Sequence, residues 1–161
     1  MKTIVYSENQ KNQVINTLAA NYQVAEWNAN KKNIYGQKYG EEYRFRKPYT
    51  FMGKKFELEV ELSMYCNTED GNYMTMTVAS ADYPSFPHCM WNEDAAILLG
   101  RHTAWSESTC NRLAERFTGV MMNECNQFEQ EVNTLLATIF EGTNVAATMG
   151  KYRLQDIAVA C

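Results

Sequence analysis

A chain of 161 residues with 45% apolar side chains, eight glycines and three prolines holds enough hydrophobic material for one packed domain, and is not the composition of a disordered or fibrous polymer. Its 15 basic and 19 acidic residues leave a net charge of -4, which argues against a nucleic acid duplex held through its phosphates. The five cysteines, Cys66, Cys89, Cys110, Cys125 and Cys161, are odd in number and form no Cys-x-x-Cys pair, so reduced thiols fit better than a disulfide framework.

The opening Met1 to Ser7 starts like a signal peptide but meets Glu8-Asn9-Gln10-Lys11 before an apolar segment can form. With no apolar run near the ~18 residues of a membrane span, the expectation is a soluble intracellular protein with no membrane partner. Ser7 is placed to cap a helix in which Val14, Ile15, Leu18, Ala19 and Tyr22 recur at helical spacing, fraying near Ala25 to Asn30. Residues 28 to 41 then read as a polar connection containing a near-repeat, Tyr35-Gly36 and Tyr39-Gly40. Tyrosines beside flexible glycines suit a contact loop, although both rings could equally fold back on the body of the protein.

The firmest pattern follows. Phe56, Leu58, Val60, Leu62 and Met64 alternate with Glu57, Glu59, Glu61 and Ser63, the period of a strand with one dry and one wet face. If Met52-Gly53 is a two-residue turn, Phe51 opposes Lys54, and the register sets Phe45 against Val60 and Tyr43 against Leu62. The other face then receives Arg46 against Glu59 and Arg44 against Glu61, which are opposite charges in cross-strand positions. Beyond the turn-rich Asn67 to Gly71, a third strand sets Met64 against Met74, Leu62 against Met76 and Val60 against Val78. The expectation is a single α+β domain over 1-161: an N-terminal helix, a three-stranded antiparallel meander (about 42-51, 54-66 and 72-80), and C-terminal helices packed on one face.

Asp82 to Trp91 is a loop whose prolines forbid regular structure and whose aromatics are either presented to a partner or tucked over the core. Asn92 precedes Glu93 and Asp94, a helix start running to Leu99 and Gly100. Ser106 or Ser108 can cap the next helix. Its seam of Cys110, Leu113, Phe117, Met121, Cys125, Phe128, Val132, Leu135 and Ile139 fits one long helix or two broken near Gly119. Such a seam is longer than a three-stranded sheet can cover, so the surplus is buried in an intrachain bundle or in a homodimer. The tail from Thr143 to Cys161 fits neither a helical nor a strand period.

No catalytic constellation emerges. His88-Cys89 with His102, Cys110 and Cys125 lacks the paired spacing of a zinc site, and nothing places Cys89 beside His102 as nucleophile and base. Glu57, Glu59 and Glu61 read as an ion-pair ladder with Arg44 and Arg46 rather than as an acid and base pair. There is no glycine-rich phosphate loop and no nucleophile elbow. The expectation is therefore a protein that is bound and not an enzyme, with no metal, no cofactor and no nucleic acid partner. Its contact surface is expected among exposed aromatics, namely Tyr35, Tyr39, Tyr83, Phe86 and Trp91.

Taken end to end, from Met1-Lys2-Thr3-Ile4-Val5-Tyr6-Ser7-Glu8-Asn9-Gln10 onward, the chain resembles the small early proteins of T-even-type phages in its size, its acidity and its wealth of Asn, Tyr and Met. Within that group it resembles the phage inhibitors of the host Lon protease. The resemblance implies a dimeric inhibitor acting in the host cytoplasm on an AAA+ protease ring, and carries over no functional residue. Alternatives are an inhibitor of another host defence enzyme such as a restriction or CRISPR nuclease, a small enzyme, or a virion component.

Overall fold

Alternation along Lys54 to Cys66 sets the whole sheet. In the computed structural model, which describes residues 4-68, 71-82, 97-100, 105-140 and 148-149, this stretch lies in β4 (Lys54–Thr68), between β3 (Lys38–Phe51) and β5 (Gly71–Ser80). All three run antiparallel. The pairs Phe45 with Val60, Tyr43 with Leu62, Arg46 with Glu59, Met64 with Met74 and Val60 with Val78 are those the alternation requires. At the β3–β4 turn Met52 and Gly53 have φ of 51° and 75°, the left-handed pair of a two-residue hairpin.

The remaining strands are shorter or less regular. β1 (Ile4–Val5) pairs antiparallel with β5, and β6 (Thr148–Met149) pairs parallel with it. On the opposite edge β2 (Gln23–Lys32) pairs antiparallel with β3, completing a four-stranded antiparallel sheet of β2 to β5. Here the expectation of a fraying helix and a polar connection is corrected: helix α1 (Glu8–Asn21) stops and the chain turns directly into an edge strand.

Where β2 starts has a covalent reason. Phe51 and Lys54 close the two-residue turn as a hydrogen-bonded pair, so alternate residues of β3 from Phe51 bond to β4, and Thr50, Pro48 and Arg46 face the other edge. Gln23 pairs with Arg46, and one step further Pro48 has no N–H to give. Pro48 thus costs β4 nothing and leaves β3 without a donor at the position that would face Asn21, were β2 extended back before Gln23.

Both helices cover the dry face. Ser7 caps α1 reciprocally with Gln10: Gln10 N–H donates to Ser7 Oγ at 3.2 Å, and Ser7 N–H donates to Gln10 Oε1 at 2.9 Å. Ser106 caps α2 (Glu107–Leu136), accepting from Thr109 N–H at 3.2 Å. Helix α2 is continuous through Gly119, where the space beside the backbone is open and nothing forces a break. Phe117 packs between Phe51 and Phe56, with ring centroids 5.3 and 4.7 Å away, and Phe128 meets Tyr22 of the α1 end edge-on at 4.9 Å.

The apolar seam of α2 is buried along its whole length inside this one chain. Its last steps fall on Leu136 and Phe140, not on Leu135 and Ile139, which are only half-buried. Of the two ways of covering the seam, burial within the chain is the one seen among the described residues. The helix expected from Asn92 falls mostly outside the described residues; only its end, Ile97 and Leu98 with Gly100 at φ 76°, is in view.

Candidate functional site

Five of the seven exposed large apolar residues among those described, Val24, Trp27, Ile34, Tyr35 and Tyr39, lie on the β2–β3 hairpin. The local structure explains how they are held out. At the tip Asn33 folds the backbone around its own side chain: its Oδ1 accepts from Tyr35 N–H at 2.9 Å and Gln37 N–H at 3.0 Å, and its Nδ2 donates to Gln37 Oε1 at 3.0 Å. Gly36 takes φ 78° and donates its N–H to Asn33 O at 3.0 Å, and Asn33 N–H donates to Gln37 O at 3.0 Å. This ordered turn leaves Ile34 92% and Tyr35 80% exposed.

Toward the base, Tyr39 lies across Tyr65 at 6.1 Å, and Tyr65 stacks on Tyr73 at 4.7 Å, a row of three near-parallel rings crossing three strands. Lys31 Nζ sits 5.6 Å from the Tyr65 ring centroid. Gly40 permits this packing. A Cβ there would fall 2.2 Å from the Met64 carbonyl oxygen, so no side chain can stand between β3 and β4 at that point. On β2, Trp27 is 51% exposed with its ring edge-on to Tyr43 at 5.2 Å.

Among the described residues β2 is the edge of the sheet, but it is a poor template for another strand. Its pairing with β3 shifts register between Val24 and Glu26, between Glu26 and Ala29, and between Lys31 and Lys32, and Asn28 has φ 55°. Bulges of this kind twist the outward backbone groups away from a regular ladder, leaving the side chains as the means of contact.

The tyrosines expected from sequence divide between their two readings. Tyr35 stands clear of the body, whereas Tyr39 is partly folded onto Tyr65. Tyr83, Phe86 and Trp91 lie outside the described residues, as do His88, Cys89 and His102. Sequence reasoning missed Ile34, Trp27 and Val24. The available signal was an Asn and a Gly bracketing Ile34-Tyr35, and a lone Trp in a polar stretch.

Elsewhere the polar groups pair among themselves. On the wet face Arg44 Nη1 is 2.9 Å from Glu59, Arg46 Nε is 3.0 Å from Glu59, and Arg46 Nη1 is 3.1 Å from Glu57, with Arg44 also on Glu42 and Glu61. The hydrogen bond to Glu59 holds the Arg46 guanidinium above its usual range. A groove of about 800 Å³ between the α1 end and α2 is lined by Tyr22, Arg46, Lys47, Gln127, Gln130 and Glu131, but Lys47 is already paired with Glu131. Burial and the Glu131 charge push the Tyr22 hydroxyl up to about 12. Cys110 and Cys125 are free and buried, and desolvation pushes the Cys125 thiol up to about 12, far from a reactive thiolate. Among the described residues no cluster of three His, Cys, Asp or Glu is placed to hold a metal, and no helix is long and apolar enough to cross a membrane.

No protein-family model, no curated protein and no solved structure matches this chain. The expected kinship with phage inhibitors of Lon protease, and with it an AAA+ partner, is accordingly withdrawn. It rested on size, acidity and composition, which unrelated small proteins share.

Proposed function

We propose that this protein works by binding another folded protein through the β2–β3 hairpin, and not by turning over a substrate. The observation that carries the reading is the concentration of Val24, Trp27, Ile34, Tyr35 and Tyr39 on one hairpin, of which Ile34 and Tyr35 are almost wholly in water. Scattered single apolar residues need no explanation, but five of the seven exposed among the described residues falling on one hairpin, three of them aromatic, is a concentration of the residue types that interface centres favour. The hydrogen-bonded tip supports the same reading, because an ordered loop loses little freedom on docking.

The test is site-specific photo-crosslinking in expressing cells. A benzophenone side chain is placed at Trp27, at Tyr35 and, as control, at exposed Asn12 on α1. One discrete protein adduct from the hairpin positions and none from Asn12 is the expected result. Equal, diffuse labelling at all three would end the reading.

A further inference from the structure

The hairpin tip differs from the rest of the chain in charge as well as exposure. Residues 27 to 40 hold Lys31, Lys32 and Lys38 and no carboxylate, in a protein of net charge -4. The carboxylates that answer two of them sit behind the tip: Glu42 is 3.3 Å and Glu61 is 4.0 Å from Lys31, and Glu41 is 2.8 Å from Lys38. Lys32 is exposed at the rim, beside Asn33. The tip is thus an apolar pair, Ile34 and Tyr35, with Lys32 exposed beside it and Lys31 and Lys38 held by carboxylates.

Resting on the protein-binding reading above, we propose that this tip is the anchor of the interface: Ile34 and Tyr35 enter an apolar pocket whose rim carries carboxylates, with Lys32 facing that rim. Asn33 is the positioning residue. Its side chain reaches Tyr35 N–H, Gln37 N–H and Gln37 Oε1, so it fixes the direction of both anchors without belonging to the contact itself. A protein pocket fits these features better than an anionic lipid surface or a nucleic acid strand. Both of those present broad negative charge, which a chain of net charge -4 would meet unfavourably. The defined turn also argues for one shaped cavity, since a fluid lipid surface would accept a floppy loop equally well.

The experiment extends the crosslinking to Ile34. The captured protein is identified, purified and titrated against the full-length wild type and the variants Ile34→Asp, Asn33→Ala and Lys32→Glu, over 50 to 300 mM NaCl. The proposal expects an adduct from Ile34 on a peptide rich in Asp or Glu, and loss of binding in Ile34→Asp. It expects association about tenfold slower and less salt-sensitive in Lys32→Glu, and severalfold weaker binding in Asn33→Ala, whose contact residues are intact. An adduct from Trp27 but none from Ile34, or wild-type affinity and salt dependence in Lys32→Glu, would overturn the tip as anchor while leaving the hairpin as interface. Absence of any adduct from the hairpin would remove both. Binding of 30% phosphatidylglycerol vesicles or a 20-nucleotide dT strand, abolished by Ile34→Asp without a protein adduct, would overturn the proposal in favour of those ligands.

Discussion

Lys11 of α1 reaches Glu41 of β3 at 3.0 Å and ties the first helix to the sheet beside the hairpin base. Burial alone would raise the Glu41 carboxyl, but hydrogen bonds from Lys38, from Lys11 and from the Tyr43 hydroxyl outweigh it and hold the group down at about 2. A carboxyl whose folded value lies below its ordinary 4.5 contributes stability that is complete above that ordinary value and is lost as pH falls toward 2. The contribution is on the order of 2–3 kcal/mol after allowance for solvent. Urea unfolding at pH 7 and near pH 2 should find Glu41→Gln less stable than wild type at pH 7 and the two nearly equal near pH 2. An unchanged difference between them across that window would show that the ion pairs contribute nothing.

Two glycines should respond to alanine with opposite signs. At Gly40 the new methyl would meet the Met64 carbonyl at 2.2 Å, a backbone atom that cannot move without breaking the β3–β4 ladder. Gly40→Ala is expected to cost about 3 kcal/mol or more. Gly119 lies inside α2 with open space around it, so Gly119→Ala should gain about 0.5–1 kcal/mol through helix propensity. Thermal melts of the two variants, read against wild type, check both.

These two positions also mark what was legible in the sequence. The register of β3, β4 and β5 could be derived because Phe45, Val60 and Leu62 on one face and Arg44, Arg46 and Glu59 on the other leave a single pairing that keeps apolar and charged sides apart. β2 could not. Exposed on both faces and bulged around Asn28, it has no buried side to impose a period of two. The Tyr-Gly pairs drew attention to Tyr35 and Tyr39 through their composition, whereas Ile34 reads as core material until its exposure is known. Gly40 has no local signal at all, since the demand on it comes from Met64, distant in sequence.

The wet-face ladder should fail unevenly. Glu59 accepts from both Arg44 and Arg46, at 2.9 and 3.0 Å, and its side chain is 11% exposed; Glu57 holds Arg46 alone and is 36% exposed. Glu59→Ala is expected to lower stability by about 1–2 kcal/mol, because it removes two charge-assisted bonds at once. Glu57→Ala should cost under about 0.5 kcal/mol. Equal losses in denaturant titrations would mean that the network is worth no more than its exposed pairs.

Tyr49 and Tyr43 both face the dry side of β3, but only Tyr43 has a use for its hydroxyl, which donates to Glu41 at 3.0 Å. The Tyr49 hydroxyl is buried with no hydrogen-bond partner among the described residues, while its ring stacks on Phe56 at 5.6 Å. Deleting an unsatisfied buried hydroxyl removes a desolvation penalty and keeps the ring contact. Calorimetry should therefore find Tyr49→Phe equal to wild type or more stable by up to about 1 kcal/mol, and Tyr43→Phe less stable by about 1 kcal/mol. A destabilised Tyr49→Phe would point to an ordered water serving that hydroxyl.

The exposed tip makes a prediction about stability that bears directly on its role. A side chain kept for packing must cost something when truncated, as Phe117→Ala should cost about 3–5 kcal/mol from the middle of the core. Ile34 and Tyr35 touch so little of the chain that Ile34→Ala and Tyr35→Ala should stay within about 0.5 kcal/mol of wild type, with Trp27→Ala near 1 kcal/mol for its contact with Tyr43. Chemical denaturation of the three variants separates these cases. If Ile34→Ala lost more than about 1 kcal/mol, the tip would be packed against its own chain in solution, and its apolar pair would no longer be available to a partner. If it lost nothing, Ile34, 92% in water, would contribute nothing to folding and its side chain would stay available to a partner.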